Sequence, residues 1–122
     1  MKRFLILLLL FFFYTNVTAE TFTDSQRKTG EIILKGLSVN GRCLSFTADT
    51  GGCTKKNSFR LNIKKVSVSK EKINHYQITV ERIIPDNCKG LFPEGIVIEF
   101  DLEKDCGLKG VFTVSISNKI IP

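Results

Sequence analysis

The residue types that could give this chain nucleophilic chemistry are few. His75 is the single histidine of the 122 residues, and the alternation of its neighbours predicts a surface position on the same face as Gln77 and Thr79. No Gly-x-Ser-x-Gly segment offers the strained turn that exposes a serine nucleophile. Cysteines that are oxidised to disulfides supply no thiolate either. We therefore expect a protein that is not an enzyme.

Carboxylates recur at every second residue in one segment of the chain. If a single β-strand carried them all, they would form an acidic row of the kind that glycosidases or calcium sites use. The loop spacing and central glycine of a calcium site are absent from the sequence, and the solvated side of an amphipathic strand has the same pattern. We expect no metal and no cofactor. The row consists of Glu99, Asp101, Glu103 and Asp105.

Basic residues crowd into the segment 55–72, where Glu71 is the one acidic residue. The segment predicts a positive surface whose partners, outside a cell, would be an anionic lipid, lipopolysaccharide, an acidic glycan or an acidic protein. Aromatic side chains that could stack on bases do not interleave with the basic ones, so nucleic acid is not an expected partner. The candidate anion-binding surface consists of Lys55, Lys56, Arg60, Lys64 and Lys65.

The first 19 residues are typical of a cleavable signal peptide. A cationic start precedes the apolar run 4–14, and small side chains lie before the bond between Ala19 and Glu20. A membrane-spanning helix needs roughly 20 apolar residues, so no transmembrane anchor is expected. We expect an exported protein of the periplasm or extracellular space.

The predicted organisation has three parts. After the signal peptide, 1–19, a polar and flexible leader covers 20–30, and one β domain covers 31–122. Within that domain, alternating apolar residues predict about six strands, and the chain shows no sustained helical period. The expected fold is all-β, a small antiparallel sandwich or partly open barrel. The predicted strands are 32–34, 44–46, 59–68, 76–80, 96–102 and 112–116.

The clearest element is a long hairpin closed by the polar turn 69–74. The apolar alternation changes phase near Lys64 and Lys65, which predicts a bulge there. Facing residues then have numbers that add to about 143, so Cys53 lies near Cys88.

Four cysteines follow the signal peptide, and export favours two disulfides over free thiols. Three connectivities are formally open. The hairpin favours a Cys53–Cys88 bridge and leaves Cys43 and Cys106 for each other by elimination. A zinc site is not expected, because no Cys-x-x-Cys spacing occurs and the chain has a single histidine.

The segment 52–102 resembles small exported bacterial proteins of unassigned role. The resemblance is carried by Gly-Cys-Thr-Lys-Lys-Asn-Ser-Phe-Arg at 52–60, Ile-Pro-Asp-Asn-Cys-Lys at 84–89 and Phe-Pro-Glu-Gly at 92–95. It implies a bacterial source and fits the Cys53–Cys88 pairing. It implies no catalytic or binding residues.

The sequence supports three hypotheses of function. The first is a non-enzymatic binding or interaction module that presents loops or the basic hairpin to an envelope component or partner protein. The second is a secreted inhibitor of a protease or other enzyme, with the loop 84–93 held near a disulfide, since preorganisation lowers the entropy cost of binding. The third is a hydrolase that uses the acidic row.

Overall fold

The structure, a computed structural model, describes residues 25–121. The predicted signal peptide and positions 20–24 of the predicted leader lie outside this range. None of the helical turns in this range has the length and hydrophobicity that a membrane-spanning helix requires. The prediction of an all-β protein is confirmed, with seven strands in two sheets across the described range. The strands are β1 (Gly30–Glu31), β2 (Gly36–Asn40), β3 (Cys43–Ala48), β4 (Phe59–Val68), β5 (Asn74–Arg82), β6 (Ile96–Asp101) and β7 (Phe112–Ile116).

The first sheet is built around β5. The predicted hairpin is confirmed, because β4 pairs antiparallel along β5, with Arg60 opposite Glu81 and Lys65 opposite Tyr76. The register shifts between Lys65 and Ser67, which places the bulge one residue beyond its predicted position. This register, extended past the strand ends, brings position 53 opposite position 88.

The other side of β5 is shared by two strands. Its first half pairs with β7 and its last two residues pair with β1. The β5–β7 pairing is parallel, so this strand departs from the antiparallel pairing expected for the fold. Between β7 and β1 the buried side chain of Asn118 takes the place of a backbone peptide. Its Oδ1 accepts from Val80 N at 2.7 Å, and its Nδ2 donates to Val80 O at 2.9 Å and Ile32 O at 2.8 Å.

The second sheet has the order β2-β3-β6, and all its pairings are antiparallel. The sequence did not indicate β2. The strand predicted over 32–34 is also misplaced, since β1 lies at Gly30–Glu31 and Leu34 forms only an isolated bridge with Ile120.

One apolar core lies between the two sheets. Leu44, Phe46 and Ala48 of β3 alternate with outward residues and are buried. The ring of Phe46 meets the ring of Phe59 edge-on at 5.2 Å, which joins the sheets, and stacks on Phe100 at 6.1 Å.

Residues 25–121, which include all four cysteines, contain one disulfide rather than the two expected. Cys53 and Cys88 are joined as predicted, with their Cα atoms 5.7 Å apart, whereas Cys43 and Cys106 are free. The predicted Cys43–Cys106 bridge is wrong because the two residues lie on opposite sides of the second sheet. Cys43 alternates with the buried residues of β3 and faces outward, while Cys106 packs against the core.

This arrangement makes a prediction for peptide mapping of the unreduced, alkylated protein. We expect a cross-linked peptide pair containing Cys53 and Cys88, with Cys43 and Cys106 each recovered in alkylated form after denaturation. A cross-linked pair containing Cys43 and Cys106 would contradict the structure. Reduction should cost roughly 3 to 4 kcal/mol of stability by the loop-entropy estimate for a 35-residue separation.

Candidate functional site

The connection between β5 and β6 contains an extended segment, 86–91, that runs without a turn or bend. Its residues alternate in exposure as a strand does, although it belongs to neither sheet. Asp86 is buried and Cys88 and Gly90 are half-buried. Asn87, Lys89 and Leu91 are exposed. One side of the segment therefore faces the protein and the other faces solvent.

The backbone amide of each even residue is hydrogen-bonded, and two of these three bonds join the segment to other parts of the protein. Asp86 N donates to Arg27 O at 2.9 Å, and Gly90 N donates to Gly51 O at 2.9 Å. Between them, Cys88 N donates to the carboxylate of Asp86 at 3.0 Å. Together with the disulfide, these bonds fix the path of the segment.

Arg27 holds the same segment through hydrogen bonds to its backbone. Its guanidinium donates to the carbonyl oxygens of Cys88 at 3.3 Å, Gly90 at 3.4 Å and Thr50 at 3.0 Å. It also forms an ion pair with Asp49 at 2.8 Å. Arg27 belongs to the described part of the predicted leader, so the ordered contacts of the domain begin before residue 31.

The carboxylate of Asp86 is the centre of this arrangement and is only 4% exposed. Burial alone would raise its pKa. The hydrogen bonds it accepts, foremost from Thr54, outweigh burial and hold the pKa of Asp86 well below its usual range. The donors are Thr54 Oγ1 at 2.6 Å, Gly51 N at 2.8 Å, Cys88 N at 3.0 Å, Thr50 Oγ1 at 3.1 Å and Cys53 N at 3.2 Å.

Arg82 supplies the buried positive charge next to Asp86 and is 1% exposed. Its guanidinium donates to Thr54 Oγ1 at 3.0 Å, Gln26 O at 3.0 Å and Asp49 O at 2.9 Å. It also lies 4.8 Å from the centre of the Phe59 ring. Burial lowers the pKa of Arg82, and the charges of Asp86 and Asp49 oppose that effect. Thr54 thus links two opposite buried charges.

Two glycines allow the loops to approach this closely. A Cβ atom at Gly51 would collide with the carbonyl oxygen of Cys88, and one at Gly90 would collide with the ring of Phe92. Both positions therefore require glycine, which has no side chain.

Large apolar side chains border the segment and face solvent. Leu91 is 90% exposed and Phe92 is 48% exposed, and Ile83 and Ile84 at the end of β5 are also exposed. Exposed apolar side chains therefore lie at both ends of the segment, which has a fixed backbone. We call residues 83–92, which include the extended segment, the apolar loop.

The predicted anion-binding surface is less coherent than the sequence suggested. Lys56 forms an ion pair with Asp105 at 2.7 Å, and Arg60 forms one with Glu81 at 2.7 Å. Lys64 shares the outer face of β4 with Arg60, whereas Lys65 is paired with Tyr76 on the opposite face. Lys55 is exposed ahead of β4.

The acidic row, which would have required a single strand through residue 105, does not form. β6 ends at Asp101, because its side chain accepts hydrogen bonds from the backbone of Glu103 and Lys104 and so turns the chain. Glu103 is paired with Arg42, and Asp105 accepts from Asp101 N at 2.8 Å. Only Glu99 and Asp101 remain on the strand.

His75 lies on the outer face of β5 and is half-buried. Its Nδ1 is 2.6 Å from Thr113 Oγ1 and its Nε2 is 3.2 Å from Ser115 Oγ. Both ring nitrogens therefore contact hydroxyl groups of β7. Within the described range, neither contacts a carboxylate that could orient the ring as a base.

One group of potential metal ligands is close together among the described residues. Ligand atoms of Cys53, Asp86 and Cys88 lie within 4.8 Å of one another. The two sulfur atoms are bonded to each other, and the Asp86 oxygens accept five hydrogen bonds. The disulfide therefore explains the proximity without an ion.

Sequence patterns identified this site only in part, through the Cys53–Cys88 bridge and the loop 84–93 beside it. They indicate Asp86 only as part of a strand-ending Pro-Asp-Asn. One signal was present, because Arg82 continues the inward phase of Ile78 and Val80 and so had to be buried on β5. A buried arginine requires acceptors nearby.

No protein-family model, curated protein or solved structure matches this chain.

The buried carboxylate predicts how stability depends on pH. Because the pKa of Asp86 is depressed in the folded state, its charge stabilises the fold above its ordinary pKa, and this contribution is lost as pH falls below about 4. Asp86→Asn should cost about 2 to 4 kcal/mol at neutral pH, because donors to a charged acceptor are left poorly paired. The difference from the native protein should shrink on acidification. Urea unfolding at several pH values measures both quantities.

Glu99→Gln is the matched control, since Glu99 is exposed on the outer face of β6. We expect its unfolding free energy to remain within about 0.5 kcal/mol of the native value. Equal losses for the two variants, or a pH-independent loss for Asp86→Asn, would contradict the role given to Asp86.

Proposed function

We propose that this protein is an exported, non-enzymatic binding module that recognises a partner protein through its apolar loop, 83–92. The observation that carries the proposal is Leu91, whose side chain is 90% exposed at the end of a braced segment. An apolar side chain held in solvent gains about 1.5 to 3 kcal/mol when a partner covers it. The segment is already ordered, so binding would not incur the loss of conformational entropy that ordering a flexible loop requires.

The apolar loop is favoured over the basic hairpin as the recognition surface. Two of the five predicted basic residues are engaged in ion pairs, and the others do not share one face. By contrast, Leu91, Phe92, Ile83 and Ile84 flank one fixed segment. Contacts with anionic lipid or glycan remain a secondary form of the same hypothesis.

Two observations support the exported location. The N-terminal pattern is that of a signal peptide, and the Cys53–Cys88 disulfide is typical of oxidising compartments. A disulfide that closes the base of the binding loop would then form on export, so the recognition surface would be completed outside the cytoplasm.

Affinity capture with immobilised protein tests the proposal. The native protein, Leu91→Asp and Val111→Asp would be compared as baits for proteins of the envelope and culture fluid. Val111 is 77% exposed in the connection before β7 and gives a matched control outside the apolar loop. We expect a partner that the native bait and Val111→Asp retain and that Leu91→Asp loses at least about tenfold.

Charge reversal provides the opposing arm of the experiment. Retention by Leu91→Asp together with loss on reversing Lys55, Lys64 and Lys65 would favour the basic surface and contradict the proposal. Unfolding midpoints of all baits establish that each variant is folded.

A further inference from the structure

We propose that the partner is an endopeptidase, and that this protein inhibits it by placing the extended segment, 86–91, in the substrate cleft with the Leu91 side chain in an apolar specificity pocket. This inference depends on the proposed function of the apolar loop. It specifies the class of partner and the residue that selects it.

The backbone of the segment has the form in which proteases bind peptides. Endopeptidases take substrates as extended strands whose backbone pairs with the rim of the cleft. Here the even residues bond inward, to Arg27 and Gly51 among others. Within the described range, the backbone groups of Asn87, Lys89 and Leu91 have no hydrogen-bond partner, and the three residues are exposed. One side of the segment is thus free to pair with a cleft.

The side chain of Leu91 fits a concave pocket of a partner better than a flat surface. Leu91 stands out from its neighbours, while the ring of Phe92 lies against Gly52 and Gly90 and is held back. A single protruding apolar side chain is complementary to a concave apolar pocket. Such a pocket is what sets specificity next to the scissile bond in many endopeptidases.

The bracing on both sides of Leu91 favours inhibition over digestion. Before it, Arg27 holds the carbonyl oxygens of Cys88 and Gly90, and the disulfide anchors Cys88. After it, Gly95 N donates to Phe92 O at 2.9 Å, and Lys35 Nζ donates to Pro93 O at 3.3 Å.

These anchors determine the result of a cut. Hydrolysis would add water across the Leu91–Phe92 peptide bond and leave a carboxylate on Leu91 and an amine on Phe92. Both new ends would stay anchored to the same body. They would remain close enough to rejoin, and the complex would persist.

Inhibition constants against enzymes of known pocket chemistry test this inference. Chymotrypsin, elastase and subtilisin have apolar or small pockets, and trypsin has an acidic one. We expect the native protein to compete with peptide substrates of at least one of the first three at submicromolar concentration and to leave trypsin unaffected. Leu91→Lys should weaken that inhibition about 100-fold and create inhibition of trypsin.

Val111→Lys is the control for a new exposed lysine, and it should change neither inhibition constant. Absence of inhibition of all three enzymes at about 10 μM would overturn the inference, as would cleavage at Leu91 at the rate of an ordinary peptide substrate. If capture of a partner still depended on Leu91, the apolar loop would bind a protein other than a protease. If that capture also failed, the proposed function itself would fall.

Discussion

The structure depends on the buried link from Arg82 through Thr54 to Asp86. A charge removed from water destabilises the fold unless donors and acceptors surround it. Thr54 satisfies both charges at once, since its hydroxyl accepts from Arg82 at 3.0 Å and donates to Asp86 at 2.6 Å. Few loop arrangements provide all the other partners as well. The buried link formed by Arg82, Thr54 and Asp86 therefore specifies the paths of the loops on either side of the Cys53–Cys88 disulfide.

That constraint gives the extended segment its two-sided character. The amides of Asp86, Cys88 and Gly90 and the carbonyl oxygens of Cys88 and Gly90 are all hydrogen-bonded, to Arg27, to Gly51 or to the Asp86 carboxylate. The backbone groups of Asn87, Lys89 and Leu91 have no hydrogen-bond partner within the described range. A segment with unpaired backbone groups on one side resembles the edge strand of a β-sheet. Such an edge can pair with another chain, so its exposure is a liability unless it has a partner. The buried charges and the exposure of Leu91 belong to one arrangement, in which the scaffold fixes the path of the segment.

Local alternation of apolar residues was enough to predict part of this fold. Period-two patterns and one turn indicate the β4–β5 hairpin, β6, β7 and the Cys53–Cys88 bridge. The same rule extended by two residues would have placed Arg82 in the interior. Alternation does not say which strands become neighbours, so the parallel pairing of β7 and the bridging role of Asn118 could not be predicted. The Cys43–Cys106 bridge failed because elimination ignores which side of a sheet each residue faces.

The central claim is that the buried link of Arg82, Thr54 and Asp86 orders the segment 86–91 while the backbone amides on one side of it stay unpaired. Amide hydrogen exchange along 86–91 tests this claim most directly. Because the inward amides are bonded, those of Asp86, Cys88 and Gly90 should exchange slowly. The amides of Asn87, Lys89 and Leu91 should exchange at nearly the rate of an unstructured peptide. Uniformly fast exchange across the segment would show that the buried link of Arg82, Thr54 and Asp86 does not order it. Uniformly slow exchange would show that its outer side is already occupied.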